Sequence, residues 1–161
     1  MVIEDIYYDL VNYFGKDVKR INHATKVWVF ARIIGKREAL NEETQLILEI
    51  SAILHDIGIK VCEERYGSTA GNLQELEGPK EAIKILEKYP LDNRILERVL
   101  FLIGNHHSYE KIDNIDFQIL VEADFLVNIF EDNIDKSTVE YIKEKYFKTE
   151  TGKYLMNIMY G

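Results

Sequence analysis

Apolar residues recur three and four positions apart over long windows of this chain, and proline interrupts it only at Pro79 and Pro90. That period predicts an all-α fold, a compact multi-helix bundle. The first helix is expected from about Glu4 to Phe14 with Gly15 as its stop. The second is expected from about Asp17 to Lys36, with Ile21, Trp28, Ala31 and Ile34 along its apolar side. A third begins near Asn41, whose side chain can cap Glu43 and Thr44, and continues through Leu46, Leu48, Ile50, Ile53 and Leu54 to Gly58. Between Glu63 and Gly78 the pattern fails, and Gly67, Ser68, Thr69, Gly71 and Asn72 fall close together, which predicts a surface loop or lid. Helices resume with Pro79 at a first-turn position, running to about Tyr89, and again from about Asp92 to His106. After a break at Ser108 to Asn114, a helix is expected from about Ile115 to Glu131. One or two more cover Lys136 to Tyr160.

Length and composition narrow the class. A chain of 161 residues has room for one domain, expected over residues 1–161 with its motif-bearing core at about 20–132 and C-terminal helices at 136–160. With 47% hydrophobic and 30% charged residues the balance is that of a globular protein. The net charge of −8 is spread along the chain, which speaks against a nucleic-acid polymer as partner, since such a groove needs a basic face. The single cysteine, Cys62, forms no internal disulfide, so a reducing cytoplasm is the expected location. The acidic start, Met1 to Tyr8, is unlike a secretory leader, and no stretch approaches 18 uncharged apolar residues. No membrane partner is expected.

The four histidines stand against the apolar pattern. His23 shares a helical stripe with Val27, Phe30 and Ile34, and His55 follows Leu48 and Ala52 on another, so both point inward. Asp56 adjoins His55 at the end of that helix, and Asp124 lies on the same side as Leu120 and Val127. A carboxylate isolated in a dry helical core costs several kcal/mol or takes up a proton. His23, His55, Asp56, His106, His107 and Asp124 are more groups than pairwise hydrogen bonds readily satisfy. A divalent cation would satisfy them together, and the mixed nitrogen and oxygen set suits Mn, Fe, Co, Ni or Zn, with Mg also admitted. Singly, each has an ordinary reading: a hydrogen-bonded core histidine at His23, an ion pair of Asp124 with Arg98 or Lys26, and a helix C-terminus at His106 and His107.

Order and spacing add more. A His, then a His-Asp pair, then a distant Asp, each on its own helix, resembles the HD-domain metal-dependent phosphohydrolase superfamily. Here the positions are His23, His55-Asp56 within Ile53-Leu54-His55-Asp56-Ile57-Gly58, and Asp124 within Glu122-Ala123-Asp124. The resemblance implies that His23, His55, Asp56 and Asp124 bind one metal, which lowers the pKa of its bound water and draws charge from phosphoryl oxygens. It also implies catalytic roles for Asp56, as base or orienting group, and for His106 and His107. In relatives with a second metal, a further histidine precedes a proline. The corresponding place here holds Gly78, which favours one tightly held ion, with Glu77 as a stand-in. Gly58, Ile59 and Lys60 occupy the places where alarmone hydrolases and deoxynucleotide 5′-phosphatases carry acidic residues, and the Gly-Tyr-Pro run of cyclic-di-GMP enzymes is missing.

The expected partner is a small phosphorylated substrate, a nucleotide foremost. Lys60 and Arg65, with Glu77, are its candidate contacts, Arg98 follows them, and the stretch from Arg65 to Glu77 is a candidate lid. Glu122 and Asn128 flank Asp124, and Asn128 is placed to orient a ligand or to bond another helix. Two other readings remain open from sequence: a metal-held binding or sensing module of the same fold, and a non-haem iron protein.

Overall fold

The computed structural model describes residues 2–161, and among them the regular structure is all helical: nine α-helices and one 3₁₀ turn. The ends are set by residues suited to the task. Helix α1 (Val2–Phe14) stops at Gly15, which takes the left-handed φ of 61° that a side chain resists. Asp17 accepts from the Arg20 amide to start α2 (Val18–Arg37), and Asn41 accepts from Thr44 to start α3 (Glu42–Leu54). The C-terminal part runs through α7 (Ile115–Glu131), α8 (Lys136–Tyr146) and α9 (Glu150–Tyr160), the last two capped by Asp135 and Thr149.

Helix α3 is the axis of the bundle. Every residue from Ile47 to Leu54 is buried, because α1, α2, α6 (Asn93–Asn105) and α7 surround it. An all-round apolar helix belongs at the centre of a core. Its one buried carboxylate, Glu49, is fully engaged: Trp28 Nε1 donates at 2.9 Å, Gln45 Nε2 at 2.8 Å and Arg32 at 3.1 Å. Helix α7 also packs on both α2 and α3, so the segments carrying His23, His55-Asp56 and Asp124 form one wedge.

Glu122 of α7, with no solvent exposure, ties this wedge to the C-terminal hairpin. Its carboxylate accepts from the Lys148 and Thr149 amides, the Thr149 hydroxyl and Gln118 Nε2 at 2.6–3.0 Å. It therefore supports the fold and not the cation cluster.

The stretch from Glu63 to Gly78 is not a loop. Helix α4 (Ile59–Tyr66) ends at Gly67, again left-handed with φ 62°, and α5 (Gly71–Leu86) begins four residues later. Pro79 lies well inside α5 and not in its first turn. The proline removes the amide that would have bonded the Glu75 carbonyl. Gly104 of α6 lies against this point, where a Cβ would stand 3.1 Å from Pro79 Cγ and 3.6 Å from the Glu75 oxygen. The proline thus sits on a close helix contact that only a small residue permits.

Candidate metal centre

Four ligand atoms from three elements meet at one point. His23 Nε2 lies 3.1 Å from His55 Nε2, 3.2 Å from Asp56 Oδ2 and 3.2 Å from Asp124 Oδ1. His55 Nε2 lies 3.4 Å and 3.3 Å from the same two oxygens. Each imidazole is aimed by its other nitrogen. His55 Nδ1 donates to the Ala52 carbonyl at 2.7 Å, and His23 Nδ1 donates to Glu131 at 2.7 Å. The Nε2 atoms are left with lone pairs facing two carboxylates.

Such a convergence of acceptors repels unless something positive sits among them. Without a cation the positive charge is protons. Burial opposes it at His23, but Asp124 and Asp56 outweigh burial and push its pKa up to about 10. His55 moves in the same direction against its own burial, and the imidazoles hold both aspartates low although burial would raise them. A second observation is sharper: Asp124 Oδ1 and His106 Nε2 are buried without a hydrogen-bond partner. Ligands about 2.1 Å from one ion and about 90–110° apart stand about 3.0–3.4 Å from each other, the spacing found here. The residues present fit a divalent cation.

Asp56 faces two ways. Its Oδ2 belongs to the first group, while Oδ1 lies 3.3 Å from His106 Nε2. Ligand atoms of Asp56, His106 and His107 lie within 4.8 Å of one another, as do those of His23, His55 and Asp56. His106 is aimed by donating Nδ1 to the Ile103 carbonyl at 2.8 Å. Glu75 of α5 fixes the turn by accepting from the His107 amide at 3.1 Å and from the Ser108 hydroxyl. Burial, with His106 alongside, lowers the His107 pKa to about 4, so that ring is neutral near pH 7.

A cavity of about 540 Å³ opens beside these groups, with His23, Asp56, His107, Asp124, Asn128 and Glu131 on its wall. The structure sends the other sequence candidates elsewhere. Arg65 donates to Glu77 at 3.2 Å and the Tyr66 hydroxyl donates to Glu77 at 2.9 Å, so neither Arg65 nor Glu77 reaches the cavity and Glu77 does not replace a missing ligand. Lys60 donates to the Tyr13 carbonyl at 3.3 Å. Arg98 is held by Asp113 and Asp116, and Lys26 by Glu131. The ion pair of Asp124 with Arg98 or Lys26 is therefore absent. At Gly78 there is no room for a longer side chain without movement: a Cβ would stand 2.9 Å from Ile103 Cγ2, and the Gly58 backbone lies directly against it.

Glu131 escaped the sequence reading. Its signal was an offset of seven from Asp124 on one helix, the same face two turns later. Bridging Lys26 at 2.5 Å and His23 at 2.7 Å, it fixes the imidazole's orientation. Glu131→Ala is expected to weaken cation affinity about 10- to 100-fold, as for other carboxylates that orient a ligating histidine. Isothermal titration with Mn or Zn checks this, and unchanged affinity would remove Glu131 from the site.

Fold and site together define a class: an all-α protein whose inward His and Asp side chains form clusters that could hold a cation at the meeting of its central helices. The family model described as HD domain matches residues 20–144, and the chain belongs to that family, within a superfamily of metal-dependent phosphohydrolases. No curated protein and no solved structure matches the chain. Among the described residues no helix is long and apolar enough to cross a membrane.

Proposed function

We propose that this protein is a metal-dependent phosphohydrolase that cleaves a phosphomonoester or phosphodiester of a nucleotide or similar small phosphorylated metabolite. The observation carrying this reading is the meeting of His23, His55, Asp56 and Asp124 with an orphaned carboxylate oxygen at their centre. A divalent cation held there supplies acidified water and a sink for phosphoryl charge. His23 and His55 would hold such an ion through Nε2, their Nδ1 atoms being engaged by Glu131 and the Ala52 carbonyl. Asp56, on the cavity wall with Oδ1 beside His106, would take the proton of an attacking water. His107 offers a neutral imidazole on the cavity wall beside the bound phosphate.

The second group, Asp56 with His106 and His107, supports a variant of the reading in which Asp56 bridges two ions. Elemental analysis of purified protein after dialysis separates the two. One ion is expected to resist dialysis, and a second equivalent, where present, is expected to bind more weakly because this group has three protein ligands and lacks the histidine that Gly78 replaces. Retention of no metal, with no metal-dependent release of phosphate from p-nitrophenyl phosphate, would overturn the reading in either form. Metal retention without hydrolysis would favour a sensing module, and an oxygen-sensitive visible band of the iron-loaded protein would favour oxygen chemistry.

A further inference from the structure

The wall of the cavity carries information about what fits against it. Among the described residues it has five carboxylates and two cations, Lys19 and Arg20, which leaves three net negative charges. Arg20 is committed to Asp17 and Glu63. Lys19 forms no ion pair among the described residues, and it precedes His23 by one turn of α2, so the two share the face that looks into the cavity. Among the described residues of the wall, Lys19 is thus the one ammonium left free to face a phosphate at the cluster.

The charge balance limits how much phosphate this wall accepts. One divalent cation offsets two of the three negative charges. That leaves one net negative charge before any substrate binds, so a phosphomonoester dianion is held only through direct contacts with the cation and Lys19. A triphosphate tail would bring further negative charge against carboxylates with no second free cation to meet it, and such like-charge contacts are unfavourable.

The remainder of the wall speaks to the alcohol. Ile59 is its one aliphatic residue, and no Phe, Tyr or Trp lines it among the described residues. A nucleobase is ordinarily held by stacking on an aromatic ring or by an apolar slot. His107 is a poor platform, since its ring already packs against the His106 ring at 4.0 Å and against Gly71. The wall is instead polar, with Thr69, Gln74, Asn128 and Asp132. Gln74 is 7% exposed and its buried Oε1 has no hydrogen-bond partner, so a small turn of the side chain would offer a substrate hydroxyl an acceptor.

Resting on the phosphohydrolase reading above, we propose that Lys19 anchors the phosphoryl oxygens of a phosphomonoester whose alcohol is small and hydroxylated, a sugar phosphate in chemical class and not a nucleoside polyphosphate. In the reaction a water oxygen forms a new bond to phosphorus, the ester P–O bond breaks, and the alcohol leaves with a proton to give free alcohol and inorganic phosphate.

The test uses the full chain loaded with Mn or Zn. Phosphate release is compared for ribose 5-phosphate, glucose 6-phosphate, a nucleoside monophosphate and a nucleoside triphosphate. At least about tenfold higher kcat/KM is expected for the sugar phosphates, because a nucleobase finds no aromatic or apolar slot on this wall and a triphosphate meets carboxylates. Lys19→Met is expected to raise KM about tenfold with kcat little changed, and to weaken inorganic phosphate binding in calorimetry by a similar factor, while Lys19→Arg retains both. Faster release from either nucleotide would overturn the substrate class and leave the phosphohydrolase reading standing. A Lys19→Met protein that binds inorganic phosphate as before would remove the anchor. Release from no ester, with metal bound, would overturn the underlying reading as well.

Discussion

Asp56→Ala is expected to lower phosphate release by about a thousandfold or more, with the helical content unchanged by circular dichroism. The size of the effect follows from position. Within the cluster Asp56 is the side chain whose two oxygens serve different groups, Oδ2 beside His23 and His55 and Oδ1 beside His106. Removing it takes a ligand from the first group, the shared ligand from the second, and the proposed base on the cavity wall. Metal content should fall in parallel. Asp56→Asn keeps the shape but gives up the charge, so it is expected to be nearly as inactive, which separates electrostatics from packing. Activity retained in both variants would rule out hydrolysis at this site.

Glu122→Ala is expected to destabilise the fold by about 3 kcal/mol or more, read from denaturant unfolding. The carboxylate is fully buried and accepts from the two amides and one hydroxyl that lead into α9, and from Gln118. Alanine leaves those donors without an acceptor and without water. Gly152 sharpens the point: a Cβ there would stand within 2 Å of Glu122 Oε1, so the hairpin is fitted around this group. Because α7 also carries Asp124 and Glu131, looser cation binding should accompany the loss of stability. Unfolding at the wild-type midpoint would show that solvent or side-chain repacking satisfies these donors.

Much of this was written in the apolar pattern, and the exceptions have physical causes. Helices α2, α3 and α7 bury Val27, Leu48, Ile53, Leu120 and their neighbours at three- and four-residue spacing, and the inward His23, His55 and Asp124 were legible because they break those stripes. The first half of helix α5 was hidden because its inward residues there are Gln74, Glu77 and Gly78, ahead of the Glu81, Ala82 and Ile85 of the half that was expected. The helical period is present there, carried by polar and small residues, so hydrophobicity does not report it. Tyr13 and Tyr66 satisfy Glu81 and Glu77 from other helices, a partnership no local window contains. The cations on the cavity wall escaped the sequence reading for a related reason. Nearness in sequence to His55 suggested Lys60 and Arg65, whereas Lys19 stands on the cavity wall through a turn of α2 on which nothing but His23 looked functional.

The four residues between α4 and α5, Gly67 to Ala70, are too few to fold across a cavity of about 540 Å³. Enzymes that hand a phosphoryl group to a second alcohol must keep bulk solvent from intercepting it, and they do so by closing over the reactants. In this structure the basin is open toward solvent, so water has access to it. Under the proposed hydrolytic reading, this openness suits a reaction in which the surrounding liquid is the acceptor and leakage is not a fault.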